Sequence, residues 1–159
     1  MFSHRKSDFG DDFIFGVASA AYQIEGGQFD GRGPSIWDSY AATPGNIDNG
    51  DTATLACDFY HRYEDDLDLA AEGGFQSYRF SFAWPRLIPE GRGALNQKGF
   101  DYYDRLLDAM LARDLRPNAT LFHWDLPSPL QDLGGWANRD IASWFADYVE
   151  TVVSRFGDR

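Results

Sequence analysis

Three short runs of β-forming residues, each followed by a longer amphipathic stretch, constrain this chain more than any other feature. The first run, Phe13 to Ala18, reads as a buried strand. The second, Gln76 to Trp84, alternates: Ser77, Arg79 and Ser81 point one way, Tyr78, Phe80 and Phe82 the other. The third opens at Asn118 and closes in His123-Trp124-Asp125-Leu126-Pro127. Its apolar start fits a strand buried on both faces, and Pro117 ends the helix before it.

Helices are predicted from about Thr52 to Glu72, Asn96 to Asp114 and Asn138 to Phe156. Each carries a 3.6-period stripe: Leu55, Phe59, Tyr63, Asp66, Leu67 and Ala70, mostly on one face, on the first; Phe100, Tyr103, Leu107 and Met110/Leu111 on the second; Ile141, Phe145, Tyr148, Val149, Val152 and Val153 on the third. Gly73-Gly74 suits a left-handed helix end, and Gly157 a stop. The order βαβαβα predicts a parallel sheet with right-handed crossovers. Strand-to-helix connections are long, whereas helix-to-strand connections take two to four residues. Long loops on one end place function at the C-terminal tips of the strands.

The net charge of −11 opposes phosphate backbones and anionic lipid surfaces, so nucleic-acid and membrane partners are not expected. Aromatic residues make up 16% of the chain, an excess that suits either stacking on the C–H faces of sugars or a large α/β core. Cys57 is the single cysteine, which fits a reducing compartment. The run Met1 to Asp8 has no apolar core of a signal peptide, and no stretch approaches the ~20 apolar residues of a membrane span. The expectation is a soluble cytoplasmic protein.

Arg79 is the sharpest single residue. If its neighbours pack under helices, it points into the sheet interior, where a guanidinium needs a carboxylate partner. A structural ion pair or a place at a wet rim are the other readings. His123 shares a face with Leu121 and Ala119 and is expected to point inward, as a site residue or as a structural histidine. Trp124 either stacks on a ligand or caps the core. Gln23 offers donor and acceptor together, which suits sugar hydroxyls. Glu25, Asp38, Asp58 and Asp125 are the carboxylates nearest the expected site end or in its loops. No two have a context that sets their pKa values apart, as glycoside hydrolysis needs. Gly31-Arg32-Gly33-Pro34 is not a dinucleotide fingerprint, and there is no P-loop, HExxH, metal-spaced Cys/His set or G-x-S-x-G elbow. No cofactor or metal is expected.

Read together, the motifs resemble family 1 glycoside hydrolases, the β-glucosidase family. The resemblance rests on Phe13-Ile14-Phe15-Gly16-Val17-Ala18-Ser19-Ala20-Ala21-Tyr22-Gln23-Ile24-Glu25-Gly26, on Gly33-Pro34-Ser35-Ile36-Trp37-Asp38, and on Tyr78-Arg79-Phe80-Ser81 with Trp84-Pro85-Arg86. It also rests on His123 to Pro127, followed by Gly134-Gly135-Trp136. Phe15 and Ser19 stand where the family often has Trp and Thr. The resemblance implies a (β/α)8 TIM barrel and retaining hydrolysis of terminal β-linked sugars by two glutamates. It implies that Gln23, His123 and Trp124 line the glycone pocket and that Arg79 supports the nucleophile. The substrate would be a small β-glucoside or related oligosaccharide.

Members of that family are longer, and no Thr-x-Asn-Glu-Pro acid/base motif occurs in these 159 residues. The expectation is therefore an N-terminal part of one barrel domain, spanning residues 1–159 and supplying the first three βα units without either catalytic glutamate. Such a segment would be inactive alone. A sugar-binding or complementing fragment and an unrelated α/β barrel are the competing readings. Oligomeric state and sugar specificity are not legible.

Overall fold

The computed structural model describes residues 4–27 and 29–159. Met1 to Ser3 of the N-terminal run, and Gln28 in the first long loop, lie outside the described residues.

Three parallel strands form the sheet, β1 (Gly16–Ala18), β2 (Ser77–Ser81) and β3 (Arg116–Thr120), in the order β1-β2-β3. The register aligns Ala18, Arg79 and Asn118 across one face. Tyr78 and Phe80 lie on the other face and are buried, as is Phe82 just beyond the strand. Ser81 departs from its partners in the alternation, half-buried Ser77 and exposed Arg79. It is 2% exposed because its Oγ accepts the Ala21 amide at 2.8 Å.

The third strand differs from the sequence reading. Pro117 does not precede it but lies inside it, paired with Tyr78. The Arg116 amide donates to the Gln76 carbonyl at 2.9 Å, so the next residue turns its nitrogen to the outer edge, where no ladder bond is lost. Nor is β3 buried on both faces: Arg116, Asn118 and Ala119 are exposed, because among the described residues it pairs with β2 alone. Strand one is also shorter than predicted, and Phe13 and Ile14 are each 47% exposed.

Among the described residues, seven α-helices complete the fold. Three are long, α3 (Phe59–Glu72), α5 (Gln97–Leu111) and α7 (Ile141–Phe156). Four are short, α1 (Ala21–Ile24), α2 (Ile36–Ala42), α4 (Trp84–Leu87) and α6 (Ser128–Asp132), and all sit in strand-to-helix connections. The long helices pack on the Tyr78–Phe80–Phe82 face, where Phe59 stacks on Tyr78 at 6.2 Å and Phe156 on Phe82 at 5.0 Å.

The first long helix starts seven residues later than the predicted Thr52. Ala56 and Asp58 have φ of 50° and 54°, incompatible with a continuous helix, and the Gly27 amide pins the Thr54 carbonyl at 2.7 Å. Leu55 therefore leaves the predicted stripe and is 62% exposed. Leu111 and Val153 also fall outside their helices' buried stripes, while Phe156 joins the core. The predicted glycine end holds: Gly74 has φ 72°.

Candidate active site

All three strands deliver their C-terminal ends into long connections, and two of those tips form one cleft. After β1, the Ser19 amide donates to the Arg79 carbonyl at 2.8 Å, and the chain enters the one-turn helix α1. This helix presents Tyr22 and Gln23 to the cleft. After β3 the chain leaves the sheet at Thr120. Tyr148 of α7 donates its hydroxyl to the Leu121 carbonyl at 2.7 Å, and the Phe122 ring packs on Trp136 at 5.1 Å. The turn that follows sets Trp124 at φ 71°, a left-handed conformation that a bulky residue rarely adopts. Its ring stands 67% exposed at an 85° angle to that of His123.

The resulting cleft has a volume of about 310 Å³ and is lined chiefly by Tyr22, Gln23, Trp37, His123 and Trp124, with Ala20, Ala41, Ile47, Asp51 and Ala53 around them. Aromatic faces beside an amide and an imidazole suit a neutral, hydroxylated ligand. The Nδ1 of His123 is shielded from water and has no hydrogen-bond partner among the described residues.

Gln23, His123 and Trp124 are thus brought together, whereas Arg79 is not among them. Arg79 lies on the opposite, solvent-facing side of the sheet from the helices, beside Asn118, Ser77 and Arg116. It is exposed, and among the described residues no carboxylate pairs with it. Water therefore carries the solvation that burial would have demanded of a partner. His123 reaches the cleft by a different route from the one expected. Ala119 and Leu121 face α5 and α7, not the Arg79 side. The ladder ends at Thr120, so strand alternation no longer governs where His123 points.

The four candidate carboxylates are placed away from the cleft wall. Glu25 is 3% exposed; its Oε2 accepts Arg86 Nε at 2.9 Å and its Oε1 accepts the Tyr103 hydroxyl at 2.7 Å. Asp38 closes a capping box with Ser35 and pairs with Arg32 at 3.0 Å. Asp58 bonds His61 at 2.7 Å, outside the cleft. Asp125 is 1% exposed, and neither carboxylate oxygen has a hydrogen bond of normal geometry. Its pKa is pushed up to about 7, mainly by burial, with the charge of Glu25 adding to the effect and Arg32 and nearby amides opposing it. The carboxylate that does line the cleft is Asp51, which is not among the four candidates. Tyr22 and Trp37 were likewise not read as wall residues; their signal was adjacency to Gln23 and a place in the Gly33–Asp38 motif.

Parallel strands, helices on one face and a cleft at the strand tips fit the first units of a (β/α)8 barrel. The chain belongs to glycosyl hydrolase family 1, whose family model matches residues 5–159. It is 54% identical over 154 residues to beta-glucosidase A of Acetivibrio thermocellus, covering 96% of this chain and 34% of that protein. It is 53% identical over 152 residues to a beta-glucosidase of Agrobacterium sp., covering 95% of this chain and 33% of that one. The solved family 1 β-glucosidase of Thermotoga maritima superposes with a TM-score of 0.93 at 51% identity, over 95% of this chain and 34% of its own. The same enzyme has been solved in complex with deoxynojirimycin. This chain spans about a third of the length of the relatives it matches.

Among the described residues no group of three or more His, Cys, Asp or Glu is placed to hold a metal ion. No helix among them is long and apolar enough to cross a membrane.

Proposed function

We propose that residues 1–159 are the N-terminal part of a single-domain barrel that hydrolyses terminal β-glucosides with retention. One observation carries the reading: Gln23, His123 and Trp124, distant in sequence, meet around one cleft at the strand tips. In this proposal Gln23 and His123 hold glycone hydroxyls and Trp124 shapes the pocket. A carboxylate from a later barrel strand attacks the anomeric carbon, and a second protonates the leaving oxygen. Arg79 supports the nucleophile; its exposed place beside Asn118, on the sheet face turned away from the helices, leaves room for a carboxylate to approach. No cofactor takes part. A cytoplasmic site of action belongs to the same proposal, supported by the free, exposed Cys57.

None of the five glutamates lines the cleft, which favours a second reading for the isolated segment: a sugar-binding or complementing fragment without activity of its own. A chromogenic β-glucoside tests both readings. The intact barrel protein is expected to hydrolyse it with retention, and the 159-residue chain alone is not. Hydrolysis by the purified segment would overturn the assignment of both glutamates to later strands. Recovery of activity on mixing the segment with the rest of the barrel would support complementation.

A further inference from the structure

The helix that carries Gln23 has only four residues, too few to hold its own geometry. It is fixed at both ends by buried side chains from elsewhere. At its N-terminus the Ala21 amide donates to Ser81 Oγ at 2.8 Å. At its C-terminus the chain runs directly into Glu25, whose amide donates to the Ala21 carbonyl at 2.9 Å and whose carbonyl accepts the Tyr60 amide at 3.2 Å. The Glu25 carboxylate then engages Arg86 Nε and the Tyr103 hydroxyl at once.

That second anchor is built to be rigid. Arg86 and Tyr103 are fully buried. The Arg86 guanidinium lies 4.4 Å from the Tyr60 ring centre and 5.5 Å from that of Tyr102. Burial, the largest single effect, lowers the Arg86 pKa, but the charge and hydrogen bond of Glu25 together with the neighbouring Tyr103 and Tyr102 raise it overall. The Tyr103 hydroxyl also accepts the Ala83 amide at 2.7 Å, which ties the anchor to the exit of β2. An apolar trio would fill this space without the cost of desolvating two charges. What the ion pair adds is direction: a carboxylate held by two donors fixes the backbone that bears it, two residues from Gln23.

We propose that Glu25 is a positioning residue for Gln23, with Arg86 and Tyr103 as its supports and Ser81 as the opposite anchor. The inference rests on the reading of the cleft as a glycone pocket. Glu25 touches no substrate; it sets the angle at which the Gln23 amide meets sugar hydroxyls.

A double-mutant cycle in the intact barrel protein tests this. Glu25→Asp keeps the charge facing Arg86 but is one methylene too short to reach both donors. It is expected to lower kcat/KM for an aryl β-glucoside by about tenfold to a hundredfold. In the Gln23→Ala background the same change is expected to cost less than about twofold, because the group being aimed is gone. An equal loss in both backgrounds would show a general structural role and overturn the inference. If Glu25→Asp does not fold, Ser81→Ala takes its place in the same cycle with the same two outcomes. A Gln23→Ala protein with unchanged kcat/KM would overturn the glycone reading itself, and this inference with it.

Discussion

The Tyr148 hydroxyl donates to the Leu121 carbonyl across 2.7 Å, and this bond joins the last helix to the strand end that presents His123 and Trp124. Tyr148 is fully buried and stacks on Trp84 at 4.6 Å. Tyr148→Phe keeps the stack and removes the bond, leaving a carbonyl without its donor. The expected cost is about 1 kcal/mol of unfolding free energy, measured by urea denaturation, with weaker binding of sugar as the strand end loosens. A variant as stable as the parent would mean that water replaces the hydroxyl.

Asp125 gives the fold a distinct pH dependence. Its folded pKa of about 7 lies above the ordinary carboxylate value near 4, so the folded state binds the proton more tightly than the unfolded state does. The resulting stabilisation is complete below about pH 4 and is lost as pH rises through about 7. Asp125→Asn, neutral at every pH, should match the parent near pH 4 and exceed it at pH 8, on the order of a few kcal/mol. Denaturation midpoints of the two proteins at pH 5 and pH 8 measure the difference. A gap that does not widen with pH would show that Asp125 is ionised in the fold.

Trp124 couples strain to the cleft. At φ 71° its backbone favours glycine, and its ring is mostly exposed, so little packing is lost with it. Trp124→Gly is expected to leave stability unchanged or raise it by up to about 1 kcal/mol, while lowering activity in the intact protein. Thermal unfolding and steady-state rates read the two effects separately. A clear loss of stability would show that the ring packs on the core.

Local patterns are enough to read the parallel sheet and the end of it at which the cleft opens. The contrast of Arg79 with Tyr78 and Phe80 follows from strand alternation, which needs only neighbours. Three features depend on contacts far along the chain and left no local trace. Glu25 meets Arg86 and Tyr103 at separations of 61 and 78 residues, so its structural role was invisible among the loop carboxylates. The late start of α3 follows from Gly27 holding Thr54 and from the positive φ of Ala56 and Asp58, against a continuous helical stripe. Pro117 reads as punctuation in sequence but is tolerated in β3 because its nitrogen faces the sheet edge.

The central claim is that the cleft between the first and third strand tips holds the sugar. Steady-state hydrolysis of an aryl β-glucoside by the intact barrel protein, with Gln23→Ala and His123→Ala beside it, tests it most directly. Each substitution is expected to lower kcat/KM by about tenfold to a hundredfold, the worth of one or two hydrogen bonds, with the melting temperature kept. Hydrolysis that proceeds unchanged in both variants would contradict the account.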